Sequence, residues 1–298
     1  MSAILAVENP GHAQRKTRAA RLSIFSNSAL ILMKLVAGAV TGSIAIITEA
    51  VHSSIDLLAS VVAFFSVRKA EEPADESHPY GHEKVENLAA ALEGVLILVG
   101  AGIIVFESSR RLMDPPEVES LGFGIVAIGI SVVVNIGVSQ YLYRRARQTD
   151  SPALAGDAAH LRTDAATSFA VLAGLALVGI TDVKALDPIV ALAVAAAIVW
   201  AGIRLISRSS RVLVDEVLPD EEMAAITSAI EESGAPEVAG FHKLRARRAG
   251  SRRYIDLHVQ FKSGTTLERA HALSHELQGE IRRRVHRADV LIHIEPGD

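Results

Sequence analysis

Residues 121–143, "LGFGIVAIGISVVVNIGVSQYLY", form an apolar run without a single charged side chain. A membrane-spanning helix needs about 20 mostly apolar residues, so this run is long enough to cross a bilayer. Five further stretches of comparable length and composition lie before residue 208. The pattern therefore predicts six membrane-spanning helices, at 22–41, 44–67, 87–107, 121–143, 153–180 and 185–206.

Residues 208–298 are rich in charge and are typical of a water-exposed domain. In "RRYIDLHVQF", residues 252–261, apolar and polar side chains alternate, which predicts a strand with one buried face. Helices are predicted at 219–233 and 266–285, and a last strand in "DVLIHIEP". We therefore expect an all-α six-helix membrane bundle followed by a small α+β domain of αββαβ order, similar to a metallochaperone. The predicted boundaries are a tail at 1–21, a bundle at 22–207 and a domain at 208–298.

The chain contains no cysteine, which excludes thiolate metal sites, so any metal must be held by nitrogen and oxygen ligands. The net charge of −4 gives no basic excess that would favour nucleic acid as a partner. Thirteen lysines and arginines lie in the N-terminal segment and in alternate short loops, against three in the opposite loops. Because positive charge marks the cytoplasmic side, this asymmetry predicts that both termini are cytoplasmic.

Two matching pairs of polar residues interrupt the apolar spans, His52 with Asp56 and His160 with Asp164. The members of each pair are four residues apart and therefore share one face of a helix. If the two faces meet, two imidazoles and two carboxylates form a tetrahedral set that suits Zn²⁺, and the carboxylates neutralise the ion. Imidazole titrates near neutral pH, so protons compete with metal for such a site. The simpler alternative is that each pair only hydrogen-bonds to neighbouring helices.

Further charged residues within the predicted spans include Lys34, Glu49 and Glu93. Lys34 and Glu93 are single charges that either reach the membrane interface or face the bundle interior. Glu49, three residues before His52, is either a proton relay or an interfacial partner, and we favour the second interpretation.

The loop "EEPADESHPYGHEKVE" contains three potential metal ligands, Asp75, His78 and His82. Pro79 and Gly81 argue against a regular helix between the two histidines. Taken alone, this composition is equally typical of a solvated charged loop.

Together these features resemble the cation diffusion facilitator family of divalent-metal efflux transporters. The matching stretches are "GSIAIITEAVHSSIDLLAS", "HPYGHEKVENLAA", "GDAAHLRTDAATSFAVLAG" and the terminal "LIHIEP", and the resemblance covers nearly the whole chain. The histidine at position 52 is similar to the version found in zinc-selective members. The resemblance implies a transport site formed by His52, Asp56, His160 and Asp164, and a loop site formed by Asp75, His78 and His82.

The resemblance further implies a homodimer whose two cytoplasmic domains are bridged by a dinuclear metal site. Glu295 stands where the closest family pattern has aspartate. A pair matching Lys84 and Asp215 acts in relatives as a salt bridge that interlocks bundle and tail. His275, one turn after His271, has no assigned role. The implied ligands of the cytoplasmic site are His242, His258, His271, His293 and Glu295.

The sequence thus predicts a multi-pass protein of the cell membrane, the inner membrane if the source is bacterial, that exports Zn²⁺ in exchange for protons. Metal binding to the cytoplasmic domain would regulate the exchange. Fe²⁺, Co²⁺, Cd²⁺ and Mn²⁺ are alternative substrates, because affinity order alone does not set selectivity. A membrane metal sensor that transports nothing is the alternative from another class. An enzyme is not expected, since neither an HExxH motif nor an extra general base accompanies the two pairs.

Overall fold

The chain forms two compact units, Met1–Ser210 and Arg211–Asp298, in a computed structural model. Long helices make up the described part of the first unit, and the second combines helices with a sheet. The described residues are 10–41, 44–113, 122–181, 183 and 185–297.

Six long helices precede the C-terminal sheet domain. Among the described residues, five of them are long and apolar enough to cross a membrane, namely α1, α3, α4, α5 and α6. The helices are α1 (Pro10–Thr41), α2 (Ile44–Ala70), α3 (Lys84–Met113), α4 (Gly122–Thr149), α5 (Pro152–Thr181) and α6 (Leu186–Leu213).

Helix α1 begins at Pro10, well before the predicted start of the first span at residue 22. The charged first turns remain helical because Lys16, Ala19 and Ala20 are buried in the bundle. The predicted span starts after the charged residues because it was defined by hydropathy. The helix itself starts earlier because these residues pack against the bundle.

Small side chains line the contacts between these helices. Ala20 of α1, Ala89 of α3 and Ala158 of α5 are all buried, and such residues let membrane helices approach closely. Where α3 crosses α6, a Cβ atom added to Gly94 would lie 2.6 Å from a side-chain carbon of Ile206. Glycine is therefore the residue that fits at this crossing.

Large apolar side chains point outward from the bundle. Phe25 of α1 is 73% exposed, and Phe106 of α3 and Val133 of α4 are each 71% exposed. Water-soluble proteins rarely carry extended apolar surface of this kind, whereas lipid tails cover it without cost.

The C-terminal unit contains two helices and three strands in the order α7, β1, β2, α8, β3, which confirms the predicted αββαβ fold. The sheet order is β1-β2-β3, with β1 antiparallel and β3 parallel to the central strand β2. The elements are α7 (Asp220–Glu231), β1 (Val238–Ala249), β2 (Arg252–Phe261), α8 (Leu267–Arg284) and β3 (Ala288–Pro296).

The two faces of this sheet differ as the alternation predicts. Ile255, Leu257, Val259 and Phe261 of β2 are buried in a core that they share with α7 and α8. On the strands, three histidines lie at paired positions in one row, because His258 of β2 pairs with a histidine on either side. The row consists of His242 on β1, His258 on β2 and His293 on β3.

Candidate metal centres

Helices α2 and α5 bring three of the predicted transport ligands together. The Nε2 atom of His160 lies 3.2 Å from Asp56 Oδ1 and 3.8 Å from Asp164 Oδ2. One ligand atom from each of the three residues lies within 4.8 Å of the others, which is close enough for a single ion to bind all three. The side chains of His52 and Glu49 lie outside the described residues, although α2 includes both positions in its backbone.

A polar cavity adjoins this cluster. Its walls come from α1, α2, α4 and α5, so that Asp56 and Asp164 face a space lined by other polar groups. Lys34 of α1 faces the bundle interior, where its Nζ atom donates a hydrogen bond to Ser53 over 2.7 Å. The other polar lining residues are Asn27, Ser131, Asn135, Thr167 and Ser168.

Two further carboxylates lie close to His160, and neither belongs to the paired motifs. Glu93 of α3 is 0% exposed, and its Oε2 atom is 3.9 Å from His160 Nδ1. Asp157, one turn before His160 on α5, is also 0% exposed. The sequence signal for both is a charge within an apolar span, which is costly unless the group has a function.

Asp157 is held by hydroxyl groups from the neighbouring helices. Ser60 of α2 donates a hydrogen bond to Asp157 Oδ1 over 2.9 Å. Ser60 in turn accepts a hydrogen bond from Asn27 of α1 at 2.8 Å and lies 2.9 Å from the hydroxyl of Ser23. A polar network therefore connects α1, α2 and α5 close to the histidine.

The loop after α2 gathers its three predicted ligands around one carboxylate. Asp75 lies 3.1 Å from His78 Nδ1 and 3.3 Å from His82 Nε2. The backbone N–H of His78 also donates to Asp75, and this hydrogen bond lowers the pKa of the carboxyl group below its usual value. Gly81 has a φ of +86°, a left-handed conformation that turns the chain between the histidines.

The tail domain places four of its five predicted ligands near each other. Glu295 bridges two imidazoles, since it lies 3.0 Å from His242 Nε2 and 2.5 Å from His258 Nδ1. The hydrogen bond with His258, followed by the charges of the histidines, lowers the pKa of Glu295. His293 Nε2 is farther from Glu295, at 3.7 Å. The group that could hold one ion comprises His242, His258 and Glu295.

The fifth predicted tail ligand, His271, is not part of this group. It lies on the surface of α8, where its Nε2 atom is 3.2 Å from Nε2 of His275. Within one chain the sheet and the helix therefore present separate histidine sets.

The predicted interlock joins residues of different units. Asp215 of the C-terminal unit accepts a hydrogen bond from Arg247 of β1 over 2.7 Å. Lys84 is the first residue of α3 in the bundle. The salt bridge between Lys84 and Asp215 stays a prediction.

Comparisons with known proteins cover almost the entire chain. Residues 20–214 match the family model of a cation efflux transmembrane domain, and residues 218–297 match that of a cation efflux protein, cytoplasmic domain. An uncharacterized transporter of Synechocystis sp. is 35% identical over 92% of this chain and 88% of its own length. The cation-efflux pump FieF of Klebsiella pneumoniae subsp. pneumoniae is 31% identical over 97% of this chain and 95% of its own.

Solved structures that match this chain include one of an isolated C-terminal domain. The metal-bound C-terminal domain of the CzcD transporter from Thermotoga maritima is 28% identical, with a TM-score of 0.24. The match covers 25% of this chain and 86% of that domain.

Proposed function

The chain belongs to the cation efflux family, the cation diffusion facilitators, and from this premise we propose that it exports Zn²⁺ from the cytoplasm in exchange for protons. It is a multi-pass membrane protein of a transporter family. The identity of the ion, the coupling to protons and the orientation in the membrane are the parts that we propose.

The observation that carries the proposal is the cluster of Asp56, His160 and Asp164 between two helices. Imidazole nitrogen and carboxylate oxygen are ligands that Zn²⁺ accepts in tetrahedral sites. His52 precedes Asp56 by one helical turn, so its imidazole would complete a set of two nitrogens and two oxygens. Two carboxylates would cancel the charge of a divalent ion, which otherwise could not enter an apolar bundle.

Proton coupling follows from the chemistry of the same ligands. A metal binds deprotonated ligands, so an ion that enters this cluster displaces protons, and protons that enter it displace the ion. The imidazole of His160 lies beside the carboxylates of Asp56 and Asp164, so a proton and a metal ion would compete for its Nε2 atom. The adjoining polar cavity is lined by Asp56 and Asp164 themselves, so both carboxylates border a polar space inside the bundle.

A homodimer with cytoplasmic termini completes the proposal. The cytoplasmic domain model that matches the tail supports dimerisation, and the excess of basic residues in alternate loops supports the orientation. Metal binding at His242, His258 and Glu295, with His293 beside them, would bias the transport cycle toward one state. Lys84 and Asp215 would interlock tail and bundle.

The test is flux into vesicles that contain a zinc-sensitive dye and carry a pH gradient. Asp56→Asn/Asp164→Asn should abolish gradient-dependent zinc entry, since it removes both charges that neutralise the ion. The matched control, Asp220→Asn/Asp289→Asn, changes two exposed carboxylates of the tail and should leave the flux unchanged.

Other outcomes would redirect the proposal. Flux of Fe²⁺, Co²⁺, Cd²⁺ or Mn²⁺ without zinc flux would keep the exchange mechanism and change its substrate. Flux of none of these ions, with zinc still bound by the tail, would favour a metal sensor over a transporter.

A further inference from the structure

Glu93 is a fully buried carboxylate in helix α3. Neither of its oxygens has a hydrogen-bond partner among the described residues. A buried carboxylate without such a partner is costly, so its position calls for a ligand or a neighbour that engages it in the working protein. The Nδ1 atom of His160 lies 3.9 Å away, and that nitrogen also has no hydrogen-bond partner within the described chain.

The two nitrogens of His160 face different partners. Nε2 points at the carboxylates of Asp56 and Asp164, and Nδ1 points at Glu93. Glu93 does not belong to the three residues whose ligand atoms lie within 4.8 Å of one another. It therefore contacts the imidazole on the side away from the proposed metal position. A shift of about 1 Å would bring the pair on the Nδ1 side to hydrogen-bond distance.

Gly156 makes room for this carboxylate on α5. A Cβ atom added to Gly156 would lie 3.1 Å from Glu93 Cγ and 3.2 Å from its Cβ. Gly156 precedes His160 by one helical turn, on the same face of the helix. The glycine therefore lets α3 approach α5 at the level where Glu93 meets the imidazole.

We infer that Glu93 is a positioning residue for the metal ligand His160. Its carboxylate accepts the Nδ1–H group, which fixes the tautomer in which the Nε2 lone pair faces Asp56 and Asp164. Metal-bound histidines commonly donate their second N–H to such a partner, and loss of the partner typically weakens metal binding 10- to 100-fold. This inference rests on the proposed transport site and adds a fifth residue, from a third helix, to its construction.

The test measures zinc affinity on the full-length protein in detergent, with the tail and loop clusters removed by His258→Ala/Glu295→Ala and Asp75→Ala/His82→Ala. Glu93→Leu deletes the acceptor and should weaken zinc binding by about 10- to 100-fold. Glu93→Gln keeps an acceptor oxygen at the same position and should bind within about threefold of the parent. The absorption bands of bound Co²⁺ should change in Glu93→Leu and be restored in Glu93→Gln, which a loss of packing alone would not produce.

The matched control is Glu86→Leu, which removes a buried carboxylate two turns earlier on the same helix. Glu86 hydrogen-bonds to Lys16 and Ser151, so this variant loses stability without touching the imidazole. Its folded fraction should keep the zinc affinity of the parent.

Two results would overturn the inference on Glu93 while leaving the transport site intact. One is an unchanged zinc affinity in Glu93→Leu; the other is an equal loss in Glu93→Leu and Glu93→Gln. Asp56→Ala/Asp164→Ala separates this failure from that of the site, because it must abolish the measured binding. If that double variant binds zinc as the parent does, the transport site is misplaced and both proposals fall.

Discussion

Lys16 donates a hydrogen bond to Glu86 over 2.8 Å, and both side chains are only 2% exposed. The same ammonium group lies 3.0 Å from Glu71, and Glu86 accepts a second hydrogen bond from Ser151. The four residues belong to α1, the segment after α2, α3 and the residue before α5. This buried network therefore ties one end of the bundle together.

Replacing Lys16 with methionine should destabilise the bundle by about 3–5 kcal/mol, because it leaves two carboxylates beside an uncharged side chain. Thermal unfolding in detergent measures the effect. Lys69→Met is the control, since the salt bridge of Lys69 with Glu72 is half exposed and water already screens it. An unfolding temperature for Lys16→Met equal to that of the control would contradict the structural role of this network.

The close contact between α3 and α6 predicts that alanine substitutions at two glycines of α3 affect stability differently. Gly94→Ala should destabilise the protein by about 1–3 kcal/mol, because the new methyl group would overlap a side-chain carbon of Ile206 and press against the backbone oxygen of Gly202. Gly100→Ala places its methyl group in open space and should be neutral or stabilising by up to about 1 kcal/mol. Unfolding of both variants in the same detergent compares them directly, and equal stabilities would mean that the two helices do not pack through Gly94.

Glu222 predicts a pH dependence for the tail domain. Burial raises the pKa of this carboxyl group, but hydrogen bonds from Arg253 and Arg248 outweigh burial and hold the pKa below its usual value. A lowered folded-state pKa stabilises the domain above the unfolded-state value of about 4.3, and this contribution is lost as the pH falls through the folded-state pKa. Glu222→Gln should therefore lower the free energy of unfolding by about 1 kcal/mol at pH 7, a value that already allows for screening by water. The loss should become progressively smaller at pH values below about 4.

Hydrogen exchange of α7 and β2, corrected for the intrinsic rate at each pH, measures this loss. Glu221→Gln changes the exposed neighbour of Glu222 and serves as the control. A destabilisation that is the same at pH 7 and at pH 3, where the carboxyl group is largely protonated, would show that the charge of Glu222 does not contribute.

The tail cluster predicts a metal site that depends on Glu295. Glu295→Gln removes the negative charge that lies between two imidazoles. The zinc affinity of the tail should therefore fall by more than the roughly tenfold loss that is typical when a residue hydrogen-bonded to a metal ligand is removed. His286→Ala, a surface histidine of the same domain, is the control. Calorimetric titration in a background that lacks the transport and loop clusters, Asp56→Ala/Asp164→Ala/Asp75→Ala/His82→Ala, isolates the tail. Equal affinities for the two variants would rule out Glu295 as a ligand.

Helical spacing accounts for the part of the candidate site that the sequence could predict. Positions four apart share a helix face, and this rule alone associates His160 with Asp164. Spacing says nothing about which helices are neighbours, so Glu93 could be recognised only as a charge in an apolar span. Its contact with His160 depends on the approach of α3 to α5 at Gly156, which is a property of packing.

The fold of the tail domain could be predicted from the sequence more accurately than the ends of the membrane helices. Strand β2 alternates over most of its length, and its buried residues include the apolar ones that the alternation selects. The charged residues at the start of α1 suggest an exposed segment, although Lys16 is buried. Its ammonium group is paired with carboxylates from other segments and does not need contact with water. Such compensation between distant residues leaves no trace in local hydropathy.

The row of imidazoles on the sheet has a consequence for folding. His242, His258 and His293 adjoin only because the three strands are aligned in one register. A slip of β3 by one residue would turn His293 and Glu295 toward the helices and send Ile292 and Ile294 into water. These side chains therefore lie together only when the strands pair in the correct register. An ion that binds them would stabilise that register over the misaligned ones.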